Sequence, residues 1–535
     1  MIKSLFFLPR ALRCAMVAAF AASALTLALA PASAAPQSAQ SAASAAPHID
    51  AASMLPRLYP AGNAQLLWSG NGQAEQALGL LRGARAHGLD CAAYDVDTLA
   101  SRLAKMTSED ADSVDRALSL AMLQYVADLH FGRVKPDFQL PQQKERLQQF
   151  DPVEHLRQAL VQQRLAEAID AAAPTIPNYK RVKATLQQYR EIAAAAPAWT
   201  PPLGLPADGK LVAGKSYPGL ALLRQRLQLV GDLESASAAD AADSHTDELT
   251  QAIKRFQSRH GLPETGHLGR DTLAALKVPL EHRVRQLELT LERIRWMPAL
   301  RPGRIIVVNV AAYRLWAFDT TAGAAAEPLE MRVIVGKAAR TQTPLFIGQM
   351  SYLEFNPYWN VPRSIALGEI IPKMARNPAY LAQNNMEMVS ASGKVAGASA
   401  AALRSGALRV RQRPGPQNVL GAVKFAMPNP MNIYLHSTSA KELFGKTRRD
   451  LSHGCIRVEQ PSELARFVLA DDVKWPQQAV NTAMEPGAMR TVRLKETIPV
   501  VLFYATAATD RSGRAIFADD IYRRDDKLAQ ALRLH

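Results

Sequence analysis

At 535 residues the chain is longer than one hydrophobic core supports, so about two to four domains are expected. A formal charge of +15, spread along the chain without a long charge block or a low-complexity body, favours polyanionic surroundings: a wall polymer, an anionic lipid or a nucleic acid. Three cysteines in a chain of this length exclude a disulfide framework.

Lys3, Arg10 and Arg13 precede the apolar run "CAMVAAFAASALTLAL", and Ala32-Ser33-Ala34 supplies an A-x-A site. This pattern predicts a secretory signal peptide over 1–34. A retained anchor is the alternative, for which the run is short against the roughly 20 residues of a membrane span. No later segment is apolar enough to cross a bilayer, so an exported body without a stable membrane span is expected after cleavage. Export disfavours nucleic acid, and the basic residues form no recognisable reading motif. Cys14 leaves with the signal. Cys91 and Cys455 remain, either as two free thiols or as a single bridge.

Residues 35–50 are Ala/Ser/Pro/Gln-rich and read as a flexible leader. Apolar residues at three- and four-residue spacing, as in "VDRALSLAMLQYVADLHFG", then predict a helical scaffold over 51–197. A Pro/Gly-rich linker follows over 198–215. Residues 216–278 read as a compact three-helix unit. Its segment "AIKRFQSRHGLPETGHLGRDTLAAL" resembles the small peptidoglycan-binding domain, with Phe256, Gln257, Gly261, Leu262, Gly266, Thr272 and Leu276 at the matching positions. Those residues would build the fold whether or not the unit still binds glycan, and the insert "ESASAADAADSHTD" departs from the compact form, so both readings stand.

A connecting helix is expected over 279–298. Beyond Pro298 the period changes to two, and "GRIIVVNVAAYRLWAFD", "LEMRVIVGK", "QMSYLEFNPYWNVP", "AVKFAMP", "MNIYLH", "CIRV" and "TIPVVLFYA" predict a β-rich domain over 299–508. Helical residues 363–390 interrupt it, giving a helical lid insertion at about 363–412. A helical tail closes the chain over 509–535. The fold class is therefore multidomain α+β.

The chemistry centres on "LSHGCIRVEQ", residues 451–460. A thiol attacks as its thiolate, and a free cysteine has a pKa of about 8.5, so Cys455 needs a base, a positive environment or both. Alternation along an extended segment would put His453 and Cys455 on one face, with Gly454 leaving the backbone open to substrate. A pair of backbone N–H groups at this turn could hold an oxyanion. Upstream, "NIYLHSTS" ends a strand on His436, and the joining loop can bring that ring beside Cys455 as a Cys–His pair suited to acyl transfer. Spacing leaves the choice between His436 and His453 open. A packed small residue is one alternative. A zinc site from His436, His453 and Cys455 is another, although zinc takes three or four protein ligands and no fourth sits at typical spacing.

"HST…SHGCIRV", preceded by "NVLGAVKF" and followed by "PSELARFVL", resembles the L,D-transpeptidase (YkuD-like) catalytic domain of the large scaffold-bearing periplasmic type. The resemblance implies Cys455 as nucleophile, His436 as general base, and Ser437 as the third member through its carbonyl. His453, Gly454 and Cys455 would line the oxyanion site through their N–H groups. Ser452 would fix the loop, and Arg457 would hold a substrate carboxylate or brace the loop. Asn418, Gly421 and Phe425 would shape the cleft, and Tyr358 and Trp359 would line the donor groove or pack in the core. The implied reaction forms a diaminopimelate–diaminopimelate (3-3) cross-link between peptidoglycan tetrapeptide stems, donor and acceptor, through a thioester, with no cofactor or metal. Other wall-synthesis enzymes are possible partners. A lipoprotein lysine or water as acceptor, and a non-catalytic wall-binding protein, are the competing functions.

Overall fold

The protein is described here from a computed structural model that covers residues 49–534, apart from 61–65, 70–71, 137–145, 147, 196–198, 200–201, 235–244, 299–300 and 324–326. The expected signal peptide, nearly all of the leader and most of the 234–247 insert lie outside the described residues. Among the described residues no strand precedes Arg304, and the longest helices are Ala111–Phe131 and Pro177–Ala195. The apolar stripe of Ala111–Phe131 meets those of Gln73–Arg82 and Pro152–Gln162, burying Leu81, Met122, Tyr125, Leu129 and Leu156 in one core. No described helix is long and apolar enough to cross a membrane.

The three-helix module comprises Leu220–Leu229, Asp247–Arg259 and Arg270–Lys277 around Leu223, Leu249, Ile253, Phe256 and Leu276. Gln257 explains its motif position. Its amide nitrogen donates to the Thr265 hydroxyl, the His267 carbonyl and the Thr272 hydroxyl, and its oxygen accepts the Gly266 amide at 2.9 Å. One buried side chain thereby fixes the turn between the second and third helices. Arg259, also buried, pairs with Asp232 and reaches the Ala515 carbonyl, docking the module on the C-terminal part of the chain.

The helix Leu280–Arg295 packs against Pro177–Ala195 through Leu287 and Leu291 facing Tyr179, Val182 and Leu186. Its Gln286 and Thr290 side chains donate to the carbonyls of Thr506, Ala518 and Ala507, binding it to the hairpin that ends the catalytic region.

Among the described residues the β-rich region has fifteen strands: β1 Arg304–Asn309, β2 Arg314–Asp319, β3 Leu329–Gly336, β4 Phe346–Phe355, β5 Trp359–Asn360, β6 Met386–Val389, β7 Val395–Ala396, β8 Arg409–Gln412, β9 Val423–Ala426, β10 Leu435–His436, β11 Asp450–Ser452, β12 Ile456–Val458, β13 Arg490–Phe503, β14 Ala507–Thr509 and β15 Ala515–Phe517. Nine form one sheet in the order β11-β3-β12-β10-β9-β4-β13-β1-β2, and β2 pairs back onto β3, so the sheet closes on itself. Period two then divides each strand between core and site. Leu353, Phe425, Leu435 and Ile456 lie in register across β4, β9, β10 and β12 and are fully buried. Their chain neighbours Glu354, Lys424, His436 and Arg457 form the next row, on the opposite face.

The insertion begins helical, as expected, and departs from that expectation beyond Gln383. Short helices at Arg363–Ile365, Ile371–Arg376 and Tyr380–Gln383, with a turn of π-helix at Ala366–Ile370, give way to a four-stranded sheet ordered β5-β8-β6-β7. It buries its own core of Val361, Ile370, Leu381, Met388, Leu403 and Val410. The stretch "MEMV" reads as helix locally. It becomes a strand by pairing with Arg409–Gln412, a long-range partner that local periodicity does not register.

Candidate active site

The turn His453–Cys455 joins β11 to β12. Gly454 has φ +117°, which a side chain would resist. Ser452 locks this turn, its hydroxyl donating to the Cys455 carbonyl at 2.6 Å and accepting the Gly454 amide at 3.1 Å. The Gly454 N–H, expected to face a substrate oxygen, is therefore engaged within the loop.

A second brace comes from the β3–β4 connection. Thr341 Oγ1 donates to the Ser452 carbonyl at 3.0 Å, and Thr343 Oγ1 to the Gly454 carbonyl at 2.8 Å. Tyr522, from beyond the barrel, donates to the Gly336 carbonyl at 2.6 Å and accepts the Thr343 amide at 3.1 Å.

His453 and Cys455 do not share a strand face, because the bend between them breaks the alternation. The His453 side chain points to the insertion, its Nε2 lying 2.7 Å from Glu369 Oε1 on the π-helical turn. Partial burial raises the Glu369 carboxyl, but the contact with His453 and the charges of Lys373 and Lys337 outweigh it and hold the carboxyl below its usual range.

The strand register sets Leu435 opposite Ile456 and His436 opposite Arg457. Cys455, one residue before Ile456, thus lies beside the start of β10, the strand that carries His436. The Cys455 thiol is half-buried and free, and it donates to the Asn432 carbonyl at 3.6 Å. Burial pushes this thiol up. Tyr434, through its backbone and its hydroxyl, and the charges of Lys424 and Arg457 act the other way. Burial and the neighbouring Cys455 raise the Tyr434 hydroxyl while Trp359 opposes the shift, so Trp359 borders the sulfur's surroundings. The Tyr358 ring carries the Arg411 guanidinium, 4.6 Å from its centre.

His436 is buried, and its Nδ1 lies 2.6 Å from the Ser437 carbonyl. A carbonyl only accepts, so Nδ1 carries the hydrogen and Nε2 keeps its lone pair. Burial pushes the ring down to about 3, helped by the adjacent Arg457, while the Ser437 and Leu420 carbonyls oppose the shift. The ring is neutral at rest. Ser437 is held by its hydroxyl, which donates to the Leu420 carbonyl at 2.9 Å and accepts the Val423 amide at 3.0 Å. Gly421, at φ +64°, permits this approach; a Cβ there would stand 2.3 Å from Ser437 Oγ. Asn418 donates to the carbonyls of Pro357 and Arg413, both at 2.9 Å, pinning the root of the insertion to the site. Phe425 is a core residue.

Arg457 is half-buried beside both reactive groups, and its Nε has no hydrogen-bond partner among the described residues. Among those residues no three His, Cys, Asp or Glu side chains gather as a metal-binding group. Lys424, Tyr434, Glu369, Thr343 and Tyr522 carried no signal in the sequence motifs, because their places depend on pairings between distant segments.

A closed sheet that carries a thiol and a neutral imidazole at neighbouring strand ends can be compared with known catalytic domains. Residues 303–491 match the family model of the L,D-transpeptidase catalytic domain, residues 53–186 that of the scaffold domain, and residues 216–276 that described as "Putative peptidoglycan binding domain". The chain thus carries a YkuD L,D-transpeptidase catalytic domain together with a helical scaffold and a peptidoglycan-binding-type module. It is 31% identical over 293 residues to a protein of Haemophilus influenzae named "Putative L,D-transpeptidase", covering 52% of this chain and 57% of that one. The chain therefore spans a little over half the length of that relative.

Two solved structures also align. The L,D-transpeptidase of Stackebrandtia nassauensis is 13% identical, with 55% of this chain and 95% of that one covered and a TM-score of 0.23. Residues 123–326 of the L,D-transpeptidase of Xylanimonas cellulosilytica are 15% identical, with 56% and 100% covered and a TM-score of 0.18. At such TM-scores neither superposition adds to the site geometry.

Proposed function

We propose that the protein is an envelope L,D-transpeptidase that joins peptidoglycan stems through a thioester on Cys455, acting in the periplasm after export by its N-terminal signal. The observation that supports this most is the orientation of His436. With Nδ1–H committed to the Ser437 carbonyl, Nε2 is a free proton acceptor on the face that carries the Cys455 sulfur.

In this reading His436 takes the thiol proton as the sulfur attacks the carbonyl of the L-centre of diaminopimelate in a tetrapeptide stem. The C–N bond to D-Ala breaks, and the leaving amine takes the proton back from His436. A ring that resists protonation as strongly as this one gives its proton up readily. The D-centre amine of a second diaminopimelate then attacks the thioester, the C–S bond breaks, and the thiolate is reprotonated. The product is a 3-3 cross-link, and no cofactor enters any step. Arg457, with an unpartnered Nε, holds a stem carboxylate near the sulfur. Trp359 and Tyr358 line the donor groove beneath the insertion, which shelters the thioester from water.

Incubation of the purified mature chain with disaccharide-tetrapeptide, read by mass, tests the proposal. Cross-linked dimer with loss of D-Ala is expected, and Cys455→Ala abolishes it. Tripeptide alone would mean that water is the acceptor. Transfer to a lipoprotein lysine but not to a stem would move the acceptor assignment. No turnover by the wild type, or full turnover by Cys455→Ala, would overturn the mechanism.

A further inference from the structure

Lys424 belongs to no motif that names a catalytic group, yet it lies on the reactive face, in register with His436 on one side and Glu354 on the other. Its Nζ is 2.9 Å from Glu354 Oε2 and 4.9 Å from the centre of the Tyr434 ring. Both members of the ion pair are mostly buried, with side-chain exposures of 19% and 17%. Desolvated pairs of this kind are weak sources of stability, often matched by apolar residues of similar volume. The neighbouring row solves the same packing problem with Leu353 and Phe425. The charge on the reactive face therefore calls for a role other than packing.

We propose that Lys424 is a positioning residue for the nucleophile: clamped by Glu354, it seats the Tyr434 ring so that the Tyr434 hydroxyl is held on the Cys455 sulfur. A cation against the ring face anchors the aromatic plane. The opposite edge of that ring meets His436, the two centroids 5.8 Å apart in a T-shaped contact, so the plane has little freedom left. The Tyr434 hydroxyl favours the thiolate form of Cys455, as a donor aimed at the atom that becomes negative would. The Lys424 charge acts on both partners of the proton transfer, favouring thiolate and opposing imidazolium. The relay Glu354–Lys424–Tyr434–Cys455 thus runs beside the Cys–His pair and stabilises the sulfur once its proton has gone.

The inference rests on the thioester reading, but its test does not need turnover. Iodoacetamide alkylation of Cys455, followed by the mass of the peptide that carries it so that Cys91 does not interfere, reports the thiolate as a function of pH. In Lys424→Met the alkylation midpoint is expected to rise by about one pH unit, a tenfold loss of rate near neutrality. Lys424→Arg recovers most of the rate, since it keeps the cation and the ion pair. Tyr434→Phe gives a loss of similar size, and the Lys424→Met/Tyr434→Phe double variant loses no more than the larger single change, because both act through one contact. In the stem assay Lys424→Met lowers kcat about tenfold with KM within twofold, as expected for a group acting on the nucleophile rather than on binding. An unshifted alkylation midpoint in folded Lys424→Met, or losses that multiply in the double variant, would overturn the proposal. Should Lys424→Met fail to fold, a Lys424→Arg profile displaced as far as that of Tyr434→Phe would also overturn it. A wild type that makes no cross-link while its alkylation profile responds as expected would sink the proposed function and leave the relay standing.

Discussion

Thr343 Oγ1 donates to the Gly454 carbonyl at 2.8 Å, and the same oxygen accepts the Gly336 amide at 2.9 Å. One fully buried hydroxyl therefore ties the end of β3 to the turn that presents the nucleophile. Thr343→Val keeps the shape and strands both backbone groups, so it is expected to cost about 1–3 kcal/mol. Thr343→Ser is expected to restore most of this. Urea denaturation checks the energies, and the rate of Cys455 alkylation shows whether the turn has loosened.

The Glu369–His453 contact bridges the insertion and the catalytic turn across partly exposed side chains, 42% and 35% accessible. Solvent screens such a pair, so Glu369→Ala is expected to lower global stability by less than about 1 kcal/mol. Its effect is local. Hydrogen exchange should rise over residues 363–376 and at 453–455, while the scaffold helices keep their protection. A change spread evenly over the molecule would contradict this.

At Gly421 a Cβ would meet Ser437 Oγ at 2.3 Å and the Thr438 amide at 2.8 Å, with the backbone at φ +64°. Gly421→Ala is expected to cost about 2 kcal/mol or more, combining left-handed strain with the clash. Since the displaced Ser437 carbonyl orients His436, turnover should fall further than the loss of folded protein accounts for. Activity per folded molecule, taken from denaturation-corrected assays, separates the two.

Arg259 Nε donates to Asp232 Oδ1 at 2.9 Å in a pair that is almost wholly buried. Arg259→Met leaves the Asp232 carboxylate uncompensated and is expected to cost about 3–5 kcal/mol. The Arg259→Met/Asp232→Leu double variant should regain most of it. A double-mutant cycle by chemical denaturation gives the coupling. Faster proteolysis between residues 195 and 216 in the single variant would report release of the three-helix module.

Four imidazoles with strongly lowered pKa set the acid limit. Burial pushes His87 down to about 3, His130 to about 4 and His436 to about 3, and takes His260 well below its ordinary value. Each stays neutral in the folded chain and gains a proton on unfolding below about 6.5. The stability they contribute is therefore complete above that value and is lost as pH falls towards 3–4, at up to about 1.4 kcal/mol per unit for each ring. Thermal midpoints measured from pH 8 to pH 4 should begin to drop near 6.5. A drop confined to pH values below about 4 would point to carboxylates instead.

Much of the site could be read from the sequence because its reacting groups sit in one compact motif. The motif "HST…SHGCIRV" names Cys455, His436 and Ser437 together; His436 Nδ1 lies on the Ser437 carbonyl, and Ser452 fixes its loop by local hydrogen bonds. The α+β class followed from the change of period near residue 300. Alternation failed for His453, because Gly454 bends the chain and sends the ring to Glu369. The insertion was misjudged where Met386–Val389 finds a strand partner more than twenty residues away. Lys424 and Tyr434 stood in quoted strands, but their significance comes from lateral register between four strands, which a linear reading does not contain. Thr343 and Tyr522 are further still, joined to the turn only through the closed fold.

Tyr522 enters the chain well after the cysteine whose turn it steadies. In chain order the motif is complete before its buttress is reached. A proteolytic nick or frameshift that removes Tyr522 would leave every motif letter in place and still release Gly336 and Thr343 from their tether. Possession of the motif and readiness to use it are thus separable properties, and the closing segment of the fold acts as proofreader for the nucleophile.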